Sequence, residues 1–160
     1  MPATLPTPAA VKIFLEKARA AMPGADIHDS LRQRCIGWNS ETSSRICDYV
    51  LVGEKVGTFS TPWLHKAHPA TKPDIGEYVL LHNYDGEPKA LLQTRSLTLL
   101  PFQEIDGSHT AIDGPGVRDL EAWRKVHIGY WNGLLEPLGK KVADEMPVIV
   151  ERFACVYPKK

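Results

Sequence analysis

Lys55 stands where a lysine can do chemistry. It follows Gly53-Glu54 and precedes a run of β-branched and aromatic residues, Val56 to Thr61, so it sits at a turn entering a strand. A lysine in that position can point into the mouth of a β-barrel and meet a phosphate as a point charge. If burial strips its hydration, its pKa falls and it becomes a base. Thr58 and Ser60 lie two apart on the same strand, so their side chains share a face. A hydroxyl beside a lysine amine is an activatable nucleophile; the same hydroxyls can instead hold phosphate oxygens. The competing reading is a solvated lysine in front of ordinary strand residues.

Two further stretches carry ligand-type side chains. Trp63-Leu64-His65-Lys66-Ala67-His68 reads as a loop between strands, in which Trp63 and His65 can stack on bases and Lys66 can meet a backbone phosphate. His65 and His68 have a spacing that suits a metal, but no further ligand is evident, so no metal site is assigned. Gly114-Pro115-Gly116 leads into a helix and can offer backbone amides to a phosphate, with the fork of Arg118 beside it. It is not a dinucleotide fingerprint, because no early strand precedes it and the third glycine is missing. The plain alternatives are an exposed loop and an exposed arginine in a first helical turn.

The elements that would hold these residues can be read from periodicity. Thr7-Pro8 is a helix start, and Val11, Phe14, Leu15 and Ala18 recur at helical spacing before Gly24. Residues 25–38 are irregular. A second helix is expected over about Glu41 to Val52, capped by Asn39 or Ser40 and stopped by Gly53. Val56 to Thr61, Glu77 to Asn83 and Lys89 to Leu100 read as strands, the last two joined through Asp85-Gly86. Phe102 to Asp119 reads as a loop with one short helical turn near Phe102 to Ile105. Asp119 can cap a helix whose broad apolar face carries Leu120, Trp123, Val126, His127, Tyr130, Trp131 and Leu134. Val148 to Tyr157 is a final strand. This order lacks regular strand-helix alternation and predicts an α+β fold, a small, mostly antiparallel β-barrel with helices packed around it.

Composition narrows the function classes. A chain of 160 residues with 43% hydrophobic and 24% charged residues suits one globular domain. We assign residues 1–10 to an N-terminal extension and 11–160 to that domain. Lys plus Arg equals Asp plus Glu at 19 each, so nucleic-acid binding would need a local basic patch. Three separated cysteines, Cys35, Cys47 and Cys155, support neither a disulfide framework nor a zinc knuckle. No secretory leader or membrane span is evident, and a cytoplasmic location is expected.

Several pieces together resemble the ASCH domain family of the PUA-like superfamily, in its longer bacterial form. They are Leu51-Val52-Gly53-Glu54-Lys55-Val56-Gly57-Thr58, the hairpin from Gly76-Glu77-Tyr78 through Gly86-Glu87-Pro88 to Gln93-Thr94 and Pro101-Phe102, the stretch Gly114-Pro115-Gly116 with Arg118, Leu120, Trp123 and His127, and Arg152-Phe153. The resemblance runs from about Ile27 to Tyr157 in the family's order. It implies a PUA-like barrel that binds RNA or a nucleoside, as a monomer or homodimer, with hydrolytic activity as a ribonuclease on single-stranded RNA. The alternatives it leaves open are an amidohydrolase acting on a modified nucleoside such as N4-acetylcytidine, or a binding module without chemistry. It places Lys55, Thr58 and Asp113 in a lysine-hydroxyl-carboxylate set, with Tyr49 the aromatic of ribonuclease-like members and Asp119 a second acidic candidate. Ser60, Trp63, His65, Lys66, Arg118 and Gly116 are the ligand-binding candidates. No cofactor is assigned, and a divalent metal ion stays open. The chain departs from the family pattern at Val117, often Asp, at Asp119, often Ser, and at Asp113, usually the longer Glu. The first two bear on ribonuclease chemistry, the third on the reach of the carboxylate.

Overall fold

A computed structural model describes residues 2–159; Met1 and Lys160, the outer limits of the expected extension and domain, lie outside the described residues. Helix α1 (Pro8–Ala21) begins inside the expected extension, with the Thr7 hydroxyl accepting from the Ala10 amide at 3.1 Å. Its apolar stripe of Val11, Leu15 and Ala18 is buried against Leu80, Leu91 and Val156. Strand β1 (Arg32–Arg34) follows. Helix α2 (Ser40–Leu51) is capped by Asn39, which accepts from Thr42, and buries Cys47 and Val50 against Val79, Leu81 and Leu92.

Strand β2 (Gly57–Ser60) leads into a short helix α3 (Pro62–Ala67) capped by Thr61. Strands β3 (Tyr78–His82) and β4 (Pro88–Pro101) form the central hairpin. A 3-10 turn at Phe102–Glu104 and helix α4 (Gly107–Thr110) connect it to α5 (Leu120–Leu135), capped by Asp119. Helix α5 buries Trp123, Trp131 and Leu135 with Phe59, Phe102 and Met146. Strand β5 (Pro147–Tyr157) completes the sheet. Among the described residues no helix is long and apolar enough to cross a membrane.

The five strands run in the order β1-β3-β4-β5-β2, with β1 parallel to β3 and the other pairs antiparallel. The expected α+β class is present, but the expected closed barrel is not. Closure needs consistent tilt and register around the whole ring. Here the two edge strands are three and four residues long, and no ladder joins them. Register shifts in β4 near Leu91/Leu92 and Thr94/Ser96 bend the sheet. The curl brings Arg34 of one edge to Glu151, which neighbours the other edge. One side-chain pair thus reaches across the open seam, where no backbone ladder runs.

Three local expectations also need correction. Arg32–Arg34 falls in the segment read as irregular, because a polar trio paired along one edge has no alternation to display. Residues 62–67 are helix α3 and not a loop; Thr61 caps it and Pro62 opens it. Helix α4 occupies part of the stretch read as loop, held by a reciprocal capping box between Asp106 and His109.

Candidate functional site

Lys55 is fixed before its side chain is considered. Its amide and that of Glu54 donate to the Tyr49 carbonyl at 3.1 and 2.8 Å, closing the end of α2. The next residue, Val56, donates to Ile112 O at 2.9 Å and accepts from the Phe153 amide at 3.0 Å. The lysine is thus held between a helix end, a strand and the segment carrying Asp113. Its side chain is 4% exposed, and Nζ donates to Asp113 Oδ1 at 2.7 Å. The same carboxylate oxygen accepts from the Gly114 amide at 2.8 Å. Burial lowers the Lys55 pKa; Asp113 opposes this, and Arg34 adds to it.

Lys55 and Asp113 form part of the lining of a cleft of about 250 Å3, together with Thr58 and Tyr49. The Tyr49 ring lies against Gly114. Thr58 is buried, and its hydroxyl forms no hydrogen bond with another group among the described residues. His127 also lines the cleft. Its Nδ1–H donates to the Trp123 carbonyl at 2.9 Å, which leaves Nε2 as an acceptor. The imidazole stacks on Trp123 at 4.2 Å between centroids. Burial takes its pKa down to about 4, so the ring is neutral at physiological pH.

One wall is cationic. Arg34 Nη1 donates to Glu151 Oε1 at 3.1 Å, and Thr94 Oγ1 donates to Glu151 Oε2 at 3.0 Å. Glu151 is 2% exposed and is the cross-strand partner of Thr58. At the mouth stand Trp38, Arg45 and Tyr130, the two rings 6.4 Å apart. Gly37 carries φ +113°, and a Cβ there would lie 2.8 Å from the Ser43 amide nitrogen. The chain can therefore turn Trp38 toward the cleft only with glycine before it.

Of the residues singled out in the sequence, Lys55, Thr58, Asp113 and Tyr49 come together in this cleft. The others stand elsewhere. Asp119 accepts from Ala122 N at 3.0 Å as the cap of α5. Arg118 donates from Nε to Asp113 O at 2.8 Å and from Nη2 to Glu54 O, stapling the Asp113 loop to the Lys55 turn. Gly116 is exposed at φ +93°. Ser60 Oγ is buried without a partner among the described residues. Trp63 packs on the apolar core beneath Lys140, whose Nζ lies 5.0 Å from the ring. His65 bonds Thr71 Oγ1 at 2.7 Å, its pKa lowered by burial and then by Arg34. Lys66 is exposed on α3.

Arg34, Trp38, Arg45, Tyr130 and Glu151 had no signal of their own: two lie in or beside the irregular stretch, and the rest read as helix or strand residues. His127 was visible only through the family-like stretch and as part of an apolar helix face. Among the described residues no group of three or more His, Cys, Asp or Glu side chains converges as a metal-ligand set.

Comparison with known proteins agrees with this architecture. A family model described as ASCH domain matches residues 34–157. The crystal structure of an ASCH domain from Lactobacillus crispatus JV V101 superposes with a TM-score of 0.84 at 20% identity, covering 93% of this chain and 95% of that one. A protein from Enterococcus faecalis V583, assigned to DUF984, superposes with a TM-score of 0.81 at 19% identity, covering 93% and 89%. No curated protein gives a significant match.

Proposed function

This chain belongs to the ASCH domain family, which is generally linked to RNA binding, and from that premise we propose that its cleft takes one nucleoside unit and hydrolyses an amide on the base. The observation that carries the reading is the Lys55–Asp113 pair at 2.7 Å, buried in one cleft with Thr58, whose hydroxyl has no hydrogen bond among the described residues. A cleft of about 250 Å3 lies just below the usual range of ligand sites, which run from roughly 300 Å3 upward. That size suits one base and sugar better than a tract of polynucleotide.

The roles follow from the donor set. Burial favours the neutral amine of Lys55, which takes the proton of the Thr58 hydroxyl as Oγ1 attacks the amide carbonyl. The C–N bond breaks, and the leaving amine takes its proton from the Lys55 ammonium. Water then attacks the Thr58 ester, with Lys55 again accepting the proton; the acyl C–Oγ1 bond breaks, the Lys55 ammonium returns its proton to Oγ1, and the carboxylic acid leaves. Asp113 holds Nζ in line and stabilises its charged form between the steps. Neutral His127 presents an acceptor to an N–H of the base.

Cleavage of single-stranded RNA is the second reading, favoured by Arg34 and Arg45 in the wall. There Lys55 would take the proton of a ribose hydroxyl. Both readings are tested with wild type, Lys55→Met and Thr58→Val, given N4-acetylcytidine in one set and labelled single-stranded RNA in the other. Deacetylation lost in both variants supports the amidohydrolase. RNA cleavage lost in Lys55→Met and kept in Thr58→Val supports the ribonuclease. Absence of both activities in wild type overturns hydrolysis and leaves a binding domain.

A further inference from the structure

Trp38 and Tyr130 are the only exposed Trp, Tyr or Phe residues among the described residues, at 52% and 43% exposure. Both stand at the mouth of the same cleft, although one comes from the loop after β1 and the other from α5. Exposed aromatic surface is costly to leave in water and marks contact sites when it gathers. The two rings are 6.4 Å apart and tilted by 39°, so they form one angled platform and not a slot into which a base could slide.

Charge gathers beside them. The chain has equal numbers of acidic and basic residues, yet the side chains lining this cleft include Arg34, Arg45 and Lys55 against the single carboxylate of Asp113. Lys55 is paired with Asp113 at the floor, and Arg34 is held by Glu151. Arg45 is different. Its partner is Glu41 one helical turn away, and the two side chains are 55% and 83% exposed. Such a surface pair is weak, and the guanidinium can turn to an incoming anion, for which its fork is shaped.

We infer that Trp38, Tyr130 and Arg45 form a recognition rim for a nucleoside monophosphate unit, the base stacking on the aromatic platform and the phosphate meeting Arg45. This rests on the nucleoside reading given above and adds the phosphate and the residues that select it. Stacking tolerates any base, because every base has a π-face. The rim therefore sets the ligand class, and the floor of the cleft sets the base. The unit can come from a free nucleotide or from one residue of a single-stranded RNA.

Calorimetric titration with the four common nucleosides, their 5′-monophosphates and a short single-stranded RNA with 2′-O-methyl riboses tests it, since none of these carries an exocyclic N-acyl group on the base and the methylated oligomer offers no 2′-hydroxyl for strand cleavage. Monophosphates are expected to bind several-fold more tightly than nucleosides. Trp38→Leu should weaken both about tenfold. Arg45→Gln should remove the preference, a change of about fivefold, and leave nucleoside binding alone. An oligomer that binds more tightly than the monophosphates assigns the unit to RNA; equal affinity assigns it to the free nucleotide. Equal affinity for nucleosides and monophosphates in wild type, or unchanged binding in Trp38→Leu, overturns the rim. Trp38 and Arg45 are exposed, so circular dichroism should show both variants folded. Loss of turnover is read separately in Lys55→Met, which leaves the rim intact, so the hydrolytic reading and the rim can fail independently.

Discussion

Lys55 Nζ and Asp113 Oδ1 meet at 2.7 Å across 58 residues of sequence, with both side chains under a tenth exposed. A buried pair of this kind costs desolvation on both sides, and removing one partner strands the other. Asp113→Ala is therefore expected to lower stability by about 3 kcal/mol, less to the extent that Lys55 sheds its proton. Lys55→Met combined with Asp113→Leu should recover most of the loss, because neither charge remains buried. Urea unfolding of the three proteins measures this; equal stability of Asp113→Ala and wild type would show that the pair adds nothing to the stability of the folded protein.

The catalytic reading gives Lys55 a pH signature. A base that works as the neutral amine gains activity as pH rises to its pKa and then levels off. Burial lowers that pKa from the ordinary lysine value of 10.5, with Arg34 adding to the effect, so the plateau should begin below the usual lysine range. Arg34→Gln removes a positive charge and leaves Glu151 unpaired, and both changes raise the Lys55 pKa. The rising limb of kcat/KM should move to higher pH in that variant, and Lys55→Met should lose about 10²- to 10⁴-fold in rate. A limb that stays in place in Arg34→Gln argues that another group titrates.

Much of the scaffold was legible because its signals are local. Thr7-Pro8, Asn39 and Asp119 cap the helices they were expected to cap, and the hairpin and last strand lie within a residue or two of the expected ranges. The resemblance also put Lys55, Thr58, Asp113 and Tyr49 in one set, and they share one cleft. What stayed hidden depends on distance in sequence. Arg34 and Glu151 are 117 residues apart, and nothing near either announces the other. The open seam likewise follows from how short the edge strands are and how β4 bends, which periodicity does not encode. Trp63, His65 and Lys66 read as ligand residues on composition, yet Thr61 caps a helix that carries them away from the cleft.

His127 predicts an acid-sensitive fold. In the native protein its pKa lies at about 4, against 6.5 ordinarily, because burial disfavours the charged ring; the Lys55 charge opposes protonation and Asp113 favours it. Between those two values the unfolded chain binds the proton more readily than the native one. Stability therefore falls as pH drops from 6.5 toward 4, by roughly 3 kcal/mol at most, and His127 contributes no pH dependence above that window. His127→Phe keeps a ring on Trp123 and cannot titrate, so its unfolding free energy should decline less over the same range. Parallel curves for the two proteins would mean that His127 is not the group responsible.

Gly57 tests how closely β2 must sit for Thr58 to face the cleft. A Cβ at Gly57 would lie 2.3 Å from Ile112 Cδ1 and 2.5 Å from the Glu151 carbonyl oxygen. The isoleucine can turn aside, but the carbonyl belongs to the β5 backbone, which pairs with Gly57 and Thr58 and cannot. Gly57→Ala must therefore push β2 away from β5, at a cost of about 1–3 kcal/mol as in other overpacked sites. The displacement moves the Thr58 hydroxyl relative to Lys55, whose own position is fixed independently by the Tyr49 carbonyl. Activity should fall by more than the loss of folded protein explains. Ile112→Ala in the Gly57→Ala background relieves only the side-chain contact, so it should restore little of the activity. Full recovery in that double variant would show that the strand spacing tolerates the methyl and that the backbone contact is not what holds Thr58 in place.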